Sequence, residues 1–124
     1  MWSHGKFYWN ELMTRNAEAA KTFYGTTLGW TFDAMPHPLG TYSVAKLDGE
    51  PVAGMLPMSG PDFAAVPEQW LSYIAVDDVD ARLRSAIAAG GKAIRGPFDV
   101  PKVGRIAIVQ DPAGAVSGWI TPAE

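Results

Sequence analysis

Apolar and polar positions along this chain fall into the same order of patterns twice. From Lys6 to Thr14, aromatic and long apolar residues surround Asn10 and Glu11, which suits a strand with one buried and one mixed face. Asn16 offers a helix N-cap. Ala20, Phe23, Tyr24 and Leu28 then recur at helical spacing within Ala17 to Leu28, and Gly29 supplies a C-terminal stop. Trp30 to Asp33 reads as a strand, and Pro36-His37-Pro38-Leu39-Gly40 as a loop, because proline disfavours both helix and central strand. Thr41 to Leu47 and Pro51 to Met58 form a predicted hairpin about Asp48-Gly49. Ser59 to Pro67, with Gly60, Pro61 and Pro67, reads as an exposed linker.

The order then returns. Trp70 to Val76 reads as a strand, Asp78 as an N-cap, and Val79, Leu83, Ala86 and Ile87 as the apolar stripe of a second helix closed by Gly90-Gly91. Strands are predicted over Lys92 to Phe98, Arg105 to Gln110 and Ala115 to Thr121. Pro101 to Gly104 is a loop, and Asp111-Pro112-Ala113-Gly114 suits a type I turn. Asn16 and Asp78 are 62 positions apart, and Gly54 and Gly118 are 64 apart, so the halves run nearly in register. Residues 1–124 therefore read as one α+β domain of two pseudo-repeats, about 5–60 and 68–122, each a strand, a helix and three strands.

Composition narrows the function classes. At 124 residues and 48% hydrophobic, the chain can bury one core. Ten basic against 13 acidic side chains give a net charge of −3 with no Lys/Arg cluster, so nucleic acid is not an expected partner. The absence of cysteine removes disulfides, thiolate nucleophiles and thiolate metal sites. Met1 to Leu12 lacks the apolar run of a secretory signal, and no segment approaches the roughly 20 apolar residues of a membrane helix, so the expected compartment is the cytoplasm and no membrane partner is expected.

Ala20-Lys21-Thr22-Phe23-Tyr24 followed by Leu28-Gly29-Trp30 resembles the A-x-x-F-Y-x-x-x-L-G-W signature of the vicinal-oxygen-chelate superfamily, which includes glyoxalase I, bleomycin-resistance proteins and extradiol dioxygenases. Val76-Asp77-Asp78-Val79-Asp80, Ala89-Gly90-Gly91 and Asp111-Pro112-Ala113-Gly114-Ala115 resemble second-half motifs of its glyoxalase-like branch. The resemblance implies two tandem βαβββ modules forming a curved, mostly antiparallel half-barrel, with helices outside and a shared cavity between modules. It also implies a homodimer.

Metal-dependent members of that superfamily hold a divalent ion through four side chains, from the first and last strands of each half. Such a site needs His nitrogens and carboxylate oxygens at about 2.0–2.2 Å. By the same resemblance the four positions fall on Trp9, Gly54, Leu71 and Gly118, none of which can bind a metal through its side chain. Their neighbours Tyr8, Asn10, Ala53, Met55, Trp70, Ser72, Ser117 and Trp119 include no histidine or carboxylate. The two histidines, His4 in a terminal segment expected to fray and His37 between two prolines, read as solvent-exposed. No metal and no other cofactor is expected.

Strand alternation puts Trp9, Glu11 and Met13 on one face, with Leu71 and Tyr73 on the matching face of the second half. Leu12, Thr14, Ile74 and Val76 should pack beneath the helices. By its 62-residue offset Tyr73 is the counterpart of Glu11, and the two are expected near one another. A carboxylate between Trp9 and Met13 in a partly dry cavity can acquire a raised pKa and serve as a general base or acid; otherwise it accepts a structural hydrogen bond from Tyr73 or Trp9, or faces solvent. Trp9, Tyr42, Tyr73 and Trp119 are candidates for lining a pocket, or else for ordinary packing, and Lys46 with Arg105 for holding an anion.

The expected ligand-binding set is thus Trp9, Glu11, Met13, Tyr42, Gly54, Leu71, Tyr73 and Gly118, with Glu11 the candidate catalytic residue. The first functional reading is a metal-free protein that binds a small apolar or aromatic molecule in the cavity between the modules. The alternative is a lyase, isomerase or dioxygenase acting through a non-standard metal site or through Glu11. A third is a degenerate domain acting mainly through dimerisation or partner binding.

Overall fold

The computed structural model describes residues 2–124, which divide into two compact units. One comprises residues 9–70. The other joins the described residues up to Tyr8 with residues 71–124. No helix among the described residues is long and apolar enough to cross a membrane.

The first module runs β1 (Phe7–Thr14), α1 (Ala17–Leu28), β2 (Thr31–His37), β3 (Gly40–Leu47) and β4 (Glu50–Pro57), with its strands in the order β2-β3-β4-β1. Strands β2, β3 and β4 pair antiparallel, whereas β4 and β1 pair parallel, which sets Glu11 beside Gly54. The β3–β4 hairpin closes because Asp48 (φ 52°) and Gly49 (φ 81°) both adopt the left-handed conformation a type I′ turn demands. Helix α1 starts where the Asn16 side chain accepts from the Ala19 N–H at 3.0 Å, and it ends at Gly29, left-handed with φ 77°.

The second module repeats this plan as β5 (Gln69–Ala75), α2 (Val79–Ala88), β6 (Lys92–Val100), β7 (Gly104–Gln110) and β8 (Val116–Pro122), ordered β5-β8-β7-β6. Its parallel pair, β5 with β8, sets Tyr73 beside Gly118. Asp78 caps α2 by accepting from the Ala81 N–H at 3.2 Å. Val76, Val79, Leu83, Ala107 and Val109 form a buried cluster joined by Ile74, Ala86 and Trp119. Burying each Val or Leu there contributes about 1.5–3 kcal/mol. Leu12 and Thr14 of the first module are buried as well. The α+β class and the duplicated βαβββ order are thus as expected.

Four local expectations are corrected. Pro36 and His37 continue β2 instead of forming a loop; β2 is the terminal strand of its sheet order, where a missing N–H leaves no central ladder broken. Helix α1 has no fully buried residue, and Phe23 and Leu28 of its expected apolar stripe are more than half exposed. The linker contains a 3-10 turn, Pro61–Phe63, with Phe63 buried. It is clasped by Arg15, whose guanidinium donates to the carbonyls of Phe63 (2.5 Å) and Val66 (2.6 Å), while its backbone N–H donates to Glu68 at 2.8 Å. Hydrogen bonds from Thr14 and then Arg15 hold the Glu68 carboxyl below its ordinary range. Finally, the segment around His4 is tied down. Gly5 N–H donates to Ala75 O, Ala75 N–H donates to Lys6 O, and His4 Nδ1 accepts from the Asp77 N–H at 3.0 Å.

Candidate functional site

The parallel pairing of β1 with β4, next to β3, brings four of the expected site residues together in the first module. Trp9 and Glu11 share a face of β1, Gly54 lies beside Glu11 on β4, and Tyr42 reaches across from β3. The Trp9 Nε1–H donates to the Tyr42 hydroxyl oxygen at 3.1 Å, and that hydroxyl donates to a Glu11 carboxylate oxygen at 2.9 Å. Glu11 is only 7% exposed. Burial first, and the adjacent Glu11 charge second, push the Tyr42 phenol well above its ordinary value of 10.0, so it remains a donor at neutral pH.

Gly54 is what lets Tyr42 in. A Cβ at position 54 would coincide with the Tyr42 hydroxyl and approach Trp9 Nε1. Position 118 in the second module repeats the arrangement, because a Cβ there would meet the ring of buried Tyr73. These are the positions at which the resemblance puts last-strand metal ligands, and in each module a tyrosine takes the space such a side chain would need. The first-strand positions hold the donor-only indole of Trp9 and the buried aliphatic Leu71. The residues present do not fit a divalent ion, and among the described residues no group of three His, Asp or Glu side chains gathers elsewhere.

Other candidates have contacts of their own. Met13 is half-buried and registers with Leu56. Trp119 belongs to the core against α2, with its Nε1–H donating to the Ser117 hydroxyl at 3.1 Å. Lys46 pairs with Asp33 at 2.5 Å, and Arg105 pairs with Asp80 (2.8 Å) and Asp99 (3.1 Å), so both candidate anion ligands are held by carboxylates.

His37 was expected in solvent, yet its ring stacks on Tyr42 with centroids 5.9 Å apart at 25°. Its Nδ1 accepts the Leu39 N–H at 3.0 Å, which fixes the imidazole. The sequence signal for this neighbour is the short path from His37 through Gly40 to Tyr42, which a tight turn folds back on itself. The signature residues Phe23-Tyr24 and Trp30 serve an aromatic cluster instead. Tyr24 stacks on Trp30 (5.3 Å) and accepts from Trp70 Nε1–H at 3.1 Å.

Residues 7–116 match the Glyoxalase/Bleomycin resistance protein/Dioxygenase superfamily. The chain belongs to that superfamily. It is 41% identical over 112 residues to the Mycobacterium tuberculosis protein named "Putative glyoxylase CFP32", a match covering 89% of this chain and 43% of that protein. It is 34% identical over 119 residues to the anthracycline biosynthesis protein DnrV of Streptomyces peucetius, covering 86% of this chain and 43% of that protein. The chain thus spans less than half the length of these curated relatives. Among solved structures, a methylmalonyl-CoA epimerase from Streptomyces coelicolor superposes with a TM-score of 0.71 at 18% identity, over 98% of this chain and all of the other. The protein BH1468 from Bacillus halodurans superposes with a TM-score of 0.73 at 14% identity, over 98% and 97%. At such identities the likeness is one of fold.

Proposed function

We propose that this chain binds a small apolar or aromatic molecule beside Trp9, Glu11 and Tyr42, without the divalent ion of its metal-dependent relatives. The observation that carries the reading is the hydrogen-bonded path from Trp9 through Tyr42 to Glu11, built over a glycine where a ligand side chain was implied. Aromatic surface with one convergent buried carboxylate is the lining that small-molecule sites use. A relative named for anthracycline biosynthesis supports an aromatic ligand. The test is calorimetric titration with a panel of flat aromatic compounds, in buffer with and without EDTA, together with elemental analysis. Saturable binding indifferent to EDTA, and weakened about tenfold or more in Trp9→Ala, is expected. Stoichiometric metal in the purified protein, or EDTA-sensitive binding, overturns the metal-free reading.

A second reading is proton transfer next to a carbonyl with Glu11 as base, acting as a lyase or isomerase. The buried carboxylate held at 2.9 Å by a phenol favours it, and the epimerases that share the fold support it. Loss of turnover in Glu11→Gln with substrate binding retained is its expected signature. On either reading the working unit is taken as a homodimer in the cytoplasm, which analytical ultracentrifugation and cell fractionation check.

A further inference from the structure

The Tyr42 side chain is held in the manner of a bound molecule. Its single oxygen is gripped from two sides, by the Trp9 indole N–H at 3.1 Å and by the Glu11 carboxylate at 2.9 Å. Its ring is covered by the His37 imidazole, and the floor below its hydroxyl is bare backbone at Gly54. We propose that this cradle recognises the hydroxyl of a phenol or enol, with Tyr42 as the resident stand-in that a ligand displaces. The inference rests on the aromatic-ligand reading above and narrows its ligand class to hydroxyaromatic compounds.

The donor and acceptor pattern selects this chemistry. An indole N–H only donates and an ionised carboxylate only accepts, so one atom serving both must accept and donate at once. A hydroxyl does so. A ketone oxygen satisfies Trp9 and leaves Glu11 facing another acceptor. A ligand carboxylate repels Glu11, and an unsubstituted arene leaves both groups without that partner. Sites of this kind discriminate strongly against the analogue that lacks the hydroxyl, because their buried polar groups are then unpaired. The His37 ring and the glycine floor add a flat slot in which an aromatic ring stacks and a bulkier tetrahedral alcohol is disfavoured. The same burial and charge that keep the Tyr42 phenol protonated would keep a bound phenol protonated.

The experiment uses p-cresol, the tyrosine side chain without its backbone, against Tyr42→Gly, and 2-naphthol against the wild-type protein. A cavity left by a removed side chain takes up a molecule of matching shape. With Tyr42→Gly, p-cresol should bind and raise the melting temperature, while toluene should bind about tenfold or more weakly. With the wild type, 2-naphthol should shift the Trp9 indole N–H resonance and naphthalene should not. Tyr42→Phe, which removes the resident hydroxyl, should bind 2-naphthol more tightly than the wild type.

Equal binding of p-cresol and toluene, or of 2-naphthol and naphthalene, overturns the hydroxyl cradle while leaving the aromatic-ligand reading standing. Absence of any naphthalene or naphthol binding to the wild type overturns the aromatic-ligand reading and the displacement of Tyr42 together, and p-cresol binding by Tyr42→Gly then shows only that the vacated tyrosine site is refilled. Should Tyr42→Gly not fold, the wild-type and Tyr42→Phe titrations decide alone.

Discussion

The Tyr42 hydroxyl donates to Glu11 at 2.9 Å while accepting from Trp9 at 3.1 Å, so one phenol joins two strands of the first module. Removing it in Tyr42→Phe deletes a hydrogen bond to a charged group and orphans the indole N–H. A hydrogen bond of this type contributes about 1.5–3 kcal/mol, and urea unfolding of Tyr42→Phe should show a loss in that range. Unchanged stability would mean that water replaces the hydroxyl without cost.

The same phenol sets an alkaline limit. Its folded-state pKa lies above the unfolded value of 10.0, so its stabilising contribution is complete below about pH 10 and is lost as pH rises beyond it. The difference in 295 nm absorbance between the wild type and Tyr42→Phe should show this phenolate appearing well above pH 10. A difference spectrum centred at the ordinary tyrosine value would contradict the buried pairing with Glu11.

Gly54→Ala should be costly out of proportion to one methyl group, because the new Cβ meets the Tyr42 hydroxyl. Overpacking of this kind costs about 1–3 kcal/mol. Combining it with Tyr42→Ala should recover part of the loss, giving a coupling energy in a double-mutant cycle that two independent sites would not show. Gly118→Ala and Tyr73→Ala form the corresponding pair in the second module.

On the acid side, Arg82 donates to both carboxylate oxygens of Asp77, at 2.8 and 2.9 Å. Those hydrogen bonds, and then the Arg82 and His4 charges, hold the Asp77 carboxyl down to about 2. A depressed folded-state value contributes stability above about pH 4 that fades as pH falls toward 2. Carbon NMR of the Asp77 carboxyl should find a midpoint near 2, moving up toward the ordinary range in Arg82→Ala.

Ser43 is fully buried on β3, and its hydroxyl makes no hydrogen bond among the described residues. An unsatisfied buried polar group costs about 1–3 kcal/mol. Ser43→Ala should therefore raise the melting temperature by a few degrees. A lower melting temperature would reveal a partner for this hydroxyl in solution.

Much of this fold was legible because its punctuation is local. Asn16, Gly29, Asp48-Gly49, Asp78 and Asp111 each act within a few residues, and each does what its residue type suggests. The period-2 pattern likewise put Trp9 and Glu11 on one face of β1. What escaped was set by lateral pairing. Pro36 reads as a strand breaker and is harmless on a terminal strand, so His37 reads as a loop residue although it lies on Tyr42. Tyr42 is one of four aromatic pocket candidates in the sequence, and its particular role comes from reaching across β4 at a residue without a side chain. Gly54 reads from the sequence as a missing metal ligand and a pocket position. Its positive role, making room, depends on a tyrosine 12 positions earlier and on which strands become neighbours.

The glycine at 54 also imposes an order on sequence change. Any histidine or carboxylate entering that position collides with the Tyr42 hydroxyl before it can coordinate anything. Tyr42 must then swing out or give way to a smaller residue, and either change by itself strands the Trp9 indole and removes a donor from Glu11. The shortest mutational route to a metal-ligating side chain at 54 therefore crosses a less stable intermediate.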